Sequence, residues 1–173
     1  INTLVGRSPL RRGFGLAAVL LLVSFMPACS DNNTNIPNVP RSAIFVSVEP
    51  NPVIGIQNAL TGSVSAAYVV QIRELAGLGC TVQFISSTVF DPETGVQVSN
   101  NYFDAAALTV FEGTDYIEAE GVMEVSQSAA YTLPDFRLEA DLTVSVQVID
   151  DNGNLINHST LAQIVPPSAE PEQ

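Results

Sequence analysis

The residues that are scarce in this chain restrict its function before any motif is considered. There is no lysine: the six basic residues are all arginines, set against 18 acids and one histidine, for a formal net charge of −12. A surface of that sign repels phosphate backbones, which excludes a nucleic-acid partner. Any Ser-His-Asp triad would have to use His158, and no GxSxG turn is present to hold the serine. One histidine and two cysteines, Cys29 and Cys80, fall short of the usual zinc ligand sets. No catalytic or cofactor motif occurs, so the expectation is a non-enzymatic protein with no cofactor and no metal centre.

Long hydrophobic runs are also scarce. The one that occurs, "LAAVLLLVSFM" over residues 16–26, has 11 residues. A membrane span needs about 20, whereas the apolar region of an export signal needs about 7–15. Arg7, Arg11 and Arg12 precede it and no acid does. Residues 1–28 therefore read as an export signal. The remainder then holds all 18 acids and three arginines, a net −15.

The junction "MPAC", ending at Cys29, resembles the lipobox of bacterial lipoproteins. Ala28 and Cys29 match that pattern; Met26 and Pro27 stand where it has leucine and a small residue. The resemblance implies lipidation at Cys29, cleavage just before it, acylation of the new amino terminus and a partner in the membrane. Several acyl chains anchor stably where one does not. Ser30, rather than Asp, follows the cysteine, which in enteric-type sorting implies the outer membrane. "RRGFG" over residues 11–15 is similar in part to a twin-arginine export motif. If Cys29 carries lipid, Cys80 has no disulfide partner and behaves as a small buried hydrophobe.

Residues 30–42, "SDNNTNIPNVPRS", are rich in Asn and Pro and read as a tether; residues 166–173 read as a polar tail. Between them, residues 43–165 have the size of one domain. Their apolar residues alternate with period two, which predicts strands over 43–49, 63–73, 80–90, 96–98, 121–133, 142–148 and 155–165. The apolar phase of the third run slips between Phe84 and Ile85, which predicts a β-bulge. Asp104 is placed to cap a short helix over 105–110 that crosses between sheets. The pair Asn152-Gly153 predicts a tight type I′ turn.

Seven strands, frequent turns and one small helix predict an all-β fold, an antiparallel β-sandwich. "YVVQIREL" (residues 68–75), the glycine turn before "CTVQF" and the closing "VIDDNGN" (148–154) resemble an immunoglobulin-like domain of bacterial surface and periplasmic lipoproteins. The inter-sheet disulfide and core tryptophan of antibody domains are absent. A jelly roll or small barrel is the alternative.

Two acidic segments invite a binding role. "DDNGN" (150–154) lacks the EF-hand spacing, with glycine fourth rather than sixth, and reads as a hairpin turn. "EGTDYIEAEG" gathers Glu112, Asp115, Glu118 and Glu120, candidate residues for a small ligand, a glycan or Ca²⁺. Sandwich tips are where such domains bind, and the candidate loops are 49–61, 91–101 and 112–121. The leading expectation is a lipid-anchored envelope module that acts through an envelope protein partner; the alternative is a binding protein using the acidic loops.

Overall fold

A computed structural model describes residues 39–168. The expected export signal, Cys29, nearly all of the expected tether and the last residues of the expected tail lie outside the described residues.

The chain forms β1 (Ile44–Glu49), β2 (Val53–Gln57), β3 (Val64–Glu74), β4 (Cys80–Phe90), β5 (Gln97–Asp104), α1 (Ala105–Glu112), β6 (Tyr116–Ile117), β7 (Val122–Tyr131), β8 (Ala140–Asp150) and β9 (Leu155–Val165). Strand β3 lies between β1 and β7, and the order β9-β8-β4-β5 makes the second layer. This is an immunoglobulin-like antiparallel β-sandwich. The strict alternation predicted for residues 63–73 is what closes it. Val64, Ala66, Tyr68, Val70 and Ile72 of β3 face Leu142, Val144, Val146 and Val148 of β8 across one buried core. Each fully buried valine or isoleucine contributes about 1.5–3 kcal/mol.

Nine strands occur among the described residues, where seven were expected. The additional ones, β2 and β6, are short and were concealed by turn residues. Pro50 and Pro52 have no amide hydrogen, so the first strand breaks there. Beyond the break, β2 joins β3 through Gly55–Gln57 and pairs in parallel with β9 through Val53 and Ile54. The first strand thus bridges the two layers. Gly55 sits where they converge: a Cβ there would lie 2.9 Å from Ile164 Cγ2 and 3.0 Å from Val64 Cγ1.

Three further expectations are corrected. Strand β5 runs from Gln97 to Asp104, well beyond 96–98, because its Asn- and Ser-rich sequence pairs with β4 at the layer edge, where little apolar patterning is demanded. The register of β4 against β8 slips between Val82 and Phe84, so the bulge is at Gln83 rather than between Phe84 and Ile85. At the β8–β9 hairpin Gly153 has φ +80° but Asn152 does not adopt a positive φ. Gly153 N donates to Asp150 O and Asp150 N donates to Asn154 O. That is a type I turn closed by a glycine bulge rather than type I′.

The helix starts as expected, with Asp104 Oδ1 accepting from Ala107 N at 2.8 Å. It runs to Glu112, stops at Gly113 (φ +82°) and buries Leu108. It does not cross between the layers as expected: β5 before it and β6 after it both pair with β4, and the chain changes layer only between β6 and β7, which pairs with β3.

Eleven-residue strands at about 3.3 Å per residue make the sandwich about 33 Å long. Glu74, Cys80 and Asp150 mark one end, called proximal because residues 39–43 enter there. Val64, Phe90, Ala140 and Val165 mark the distal end.

Candidate functional site

At the proximal end two buried carboxylates take hold of the incoming chain. Glu74 Oε1 accepts from Ser42 Oγ at 2.7 Å and Ala76 N at 2.8 Å; Oε2 accepts from Gly77 N at 2.8 Å, Glu120 N at 3.0 Å and Leu78 N at 3.2 Å. Burial alone would raise the pKa of Glu74. The hydrogen bonds from Glu120, Ser42, Ala76 and Gly77 outweigh it and hold the group at about 2. Asp150 accepts Ser42 N at 3.0 Å, Asn152 N at 3.0 Å and Asn154 N at 2.8 Å. Burial opposes its ionisation as well, and these bonds with the Asn154 amide lower its pKa nevertheless. Two acids are therefore held ionised inside the fold by hydrogen-bond donors, most of them backbone N–H groups. Asn152 Nδ2 and Arg41 Nη2 reach Pro40 O (2.9 Å) and Leu155 O (3.2 Å), which extends the clamp outward.

The acidic segment 112–121 is part of this end and is not an open loop. Tyr116 and Ile117 pair with the start of β4, and Asp115 O accepts from Val82 N. Glu120 adopts φ +59° and turns its amide onto Glu74. Glu112, Glu118 and Glu120 are exposed, and Asp115 is half-buried. Among the described residues no three acidic, histidine or cysteine side chains are grouped so as to hold a metal ion.

Cys80 is fully buried and free. Desolvation, then the charges of Glu74 and Asp151, push its thiol up to about 11. His158, on β9, lies edge-on to Phe45 with ring centroids 6.4 Å apart. A polar island crosses the core midway: Tyr68 Oη and Ser87 Oγ both donate to Gln127 Oε1, and Gln127 Nε2 has no partner among the described residues.

The open surface lies elsewhere, on the outer face of β5-β4-β8-β9 and at its distal edge. The register places Tyr102, Ser86, Ser145 and Ser159 in one cross-strand row and Asn100, Thr88, Thr143 and Leu161 in the next. Phe84 and Tyr102 stack with centroids 5.5 Å apart. Distal to these rows a groove of about 470 Å³ opens between Phe90, Thr143, Leu161, Gln163, Asp141 and Asn51. Asp91 closes its end, bound by the Arg137 guanidinium at 3.0 and 3.1 Å. Arg137 above all, then Glu93 N and the Thr94 hydroxyl, hold the Asp91 carboxyl at about 2 against the effect of burial. A second recess of about 420 Å³ shares Pro92 and lies against Arg137, Glu139 and Pro166.

Of the expected binding loops, 49–61 is mostly the proline corner and β2, and 91–101 keeps only 91–96 as a turn beside the groove. Asp91, Arg137 and the Phe84–Tyr102 pair were not singled out by sequence. The signal that points to them is weak: an acid and an arginine 46 residues apart, and two aromatics on the outward phase of their strands.

No family model matches the chain, and no curated protein matches it by sequence. Its fold is similar to that of the ApaA protein from Bordetella pertussis, with a TM-score of 0.58 at 11% identity over 74% of this chain and 97% of that one. It is also similar to a structural-genomics target designated SoR45, with a TM-score of 0.56 at 14% identity over 75% and 92%. At such identities the likeness is one of fold.

Proposed function

We propose that this chain is a lipid-anchored protein of the bacterial cell envelope whose immunoglobulin-like sandwich is a non-catalytic interaction module. The observation that supports it most is the polarity of the domain. Residues 40–43 are fixed at one end by Glu74 and Asp150, the groove lies at the other, up to about 33 Å away, and the open sheet face runs between them. A module anchored through Cys29 would then offer its binding surface away from the membrane. In keeping with this, no helix among the described residues is long and apolar enough to cross a membrane. The outer membrane is the proposed location, with an envelope protein as partner.

The test is Cys29→Ala. The parent chain takes up a fatty-acid probe and sediments with membranes, whereas the variant takes up none and is released. A parent that takes up no label, with a variant that stays membrane-bound, would sink the lipid reading. Crosslinking in intact cells then identifies the partner.

A second reading, binding of a small ligand, draws on the groove. It owes little to Glu112, Asp115, Glu118 and Glu120, which stand at the opposite end.

A further inference from the structure

We infer that the outer face of β5-β4-β8-β9, with the groove at its distal edge, binds neutral carbohydrate. This rests on the reading of the domain as a binding module and names what the module takes.

Charge is the first observation. From Cys29 onward the chain carries a net −15, yet between Asp104 at one corner and Asp141 at the other the rows of this face hold no charged side chain. An anionic ligand is repelled by the body as a whole, and a cationic one finds its counter-charges on other surfaces. A neutral ligand suits this face.

The aromatic pair is the second. Sugar rings carry C–H groups on their faces and hydroxyls around their rims, so they lie flat on an aromatic ring and need donors and acceptors beside it. Tyr102 is 56% exposed and is braced by Phe84 behind it.

The third is the set of hydrogen-bonding groups left open. Asn100 Oδ1 accepts from Ser86 Oγ at 3.1 Å and Thr88 Oγ1 at 3.0 Å, which orients the amide and leaves Nδ2 without a partner among the described residues. Gln147 Nε2 donates to Asn157 Oδ1 at 2.8 Å, which leaves Gln147 Oε1 and Asn157 Nδ2 open in the same way. These side chains are held by one another before any ligand arrives, so little ordering entropy is lost on binding. Four strands about 4.8 Å apart give a face about 14 Å across, room for several linked rings rather than one.

A second copy of the chain fits this face less well. Homodimer interfaces are about 65% apolar, whereas the central rows offer Phe84, Tyr102 and Leu161 among hydroxyls and amides, and each copy would bring its own negative charge.

The experiment applies the full chain to an array of neutral gluco-, manno-, galacto- and N-acetylglucosamine oligosaccharides, with oligogalacturonate as the anionic control. At least one neutral series binds, with little change between about 0.05 and 0.5 M salt. Tyr102→Ala and Asn100→Ala each weaken binding about tenfold or more. Tyr102→Phe retains it and Glu118→Gln leaves it unaltered; matching thermal melts show that all four variants are folded. Absence of binding to every neutral series overturns the inference, as does binding indifferent to Tyr102 and Asn100, or a preference for oligogalacturonate. A dimer in sedimentation that Tyr102→Ala dissociates overturns it in favour of self-association. If sugars fail but crosslinking recovers an envelope protein that Tyr102→Ala loses, the module reading stands and the carbohydrate assignment falls.

Discussion

Replacing Glu74 with Gln tests whether the proximal clamp is a structural device. The side chain keeps its shape, but one carboxylate oxygen becomes an NH₂ group. Three donors contact each oxygen: Ser42 Oγ, Ala43 N and Ala76 N on Oε1, and Gly77 N, Leu78 N and Glu120 N on Oε2. Either amide orientation therefore turns three donors against a donor, and only the Ser42 hydroxyl can rotate to accept. Unsatisfied buried donors cost about 1–3 kcal/mol each before relaxation. The expected loss is about 3–4 kcal/mol, a fall in Tm of about 10–15 °C for a domain of this size. The pKa gives a figure of similar size: lowering it from 4.5 to about 2 corresponds to about 3 kcal/mol. Because the folded-state pKa is depressed, this contribution is complete above the unfolded value of 4.5. It fades as pH falls through about 2. Thermal melts of parent and variant between pH 7 and pH 2 should therefore differ most at neutral pH and converge in acid. A Tm difference below about 3 °C at pH 7, or a gap that does not shrink on acidification, would refute the reasoning.

Two further outcomes concern the interior. Gln127→Met alone leaves the hydroxyls of Tyr68 and Ser87 without an acceptor and should cost about 1–2 kcal/mol. The triple variant Tyr68→Phe, Ser87→Ala, Gln127→Met removes all the partners and the unpaired Nε2 together, and denaturant titration should find it at least as stable as the parent. Cys80, buried and with its thiol raised to about 11, should resist iodoacetamide at pH 8 in the native chain and react once denatured; fast labelling at Cys80 itself, read by peptide mapping, contradicts its placement.

Much of the fold was legible because a two-faced strand must alternate. Residues of β3, β8 and β7 (Met123, Val125, Ala129 and Tyr131) declared their inward phase directly, and the core of the sandwich followed from it. Gln127 occupies an inward phase in β7 too, but a glutamine there reads as an irregularity until its partners from two other strands are seen. Strand β5 was shortened because edge residues such as Asn100 and Asn101 satisfy a backbone ladder without apolar patterning. The hairpin type was misjudged since Asn-Gly suits two turns, and the choice between them is made by Asp150, whose carboxylate collects Asn152 N and Asn154 N. The acidic loop looked like a ligand site because charge density is visible in sequence and its purpose is not. One member, Glu120, serves through its backbone amide, and the acid that matters there, Glu74, sits in an ordinary strand ending. Surfaces assembled from four strands, such as the rows around Tyr102, have no local sequence signature.

The first and last strands have a mechanical consequence. The chain enters the domain at the proximal end beside Glu74 and leaves at the distal end after Val165, while β2 and β9 run parallel through Val53–Ile164 and Ile54–Val165. Tension between the proposed membrane anchor and anything attached beyond residue 165 would act along the strands. It pulls β1 lengthwise against β3, and β2 against β9, so the hydrogen bonds of each pair are loaded together in shear and must give way as a group. Unzipping from a corner, one bond at a time, would require the two points of attachment to lie at the same end.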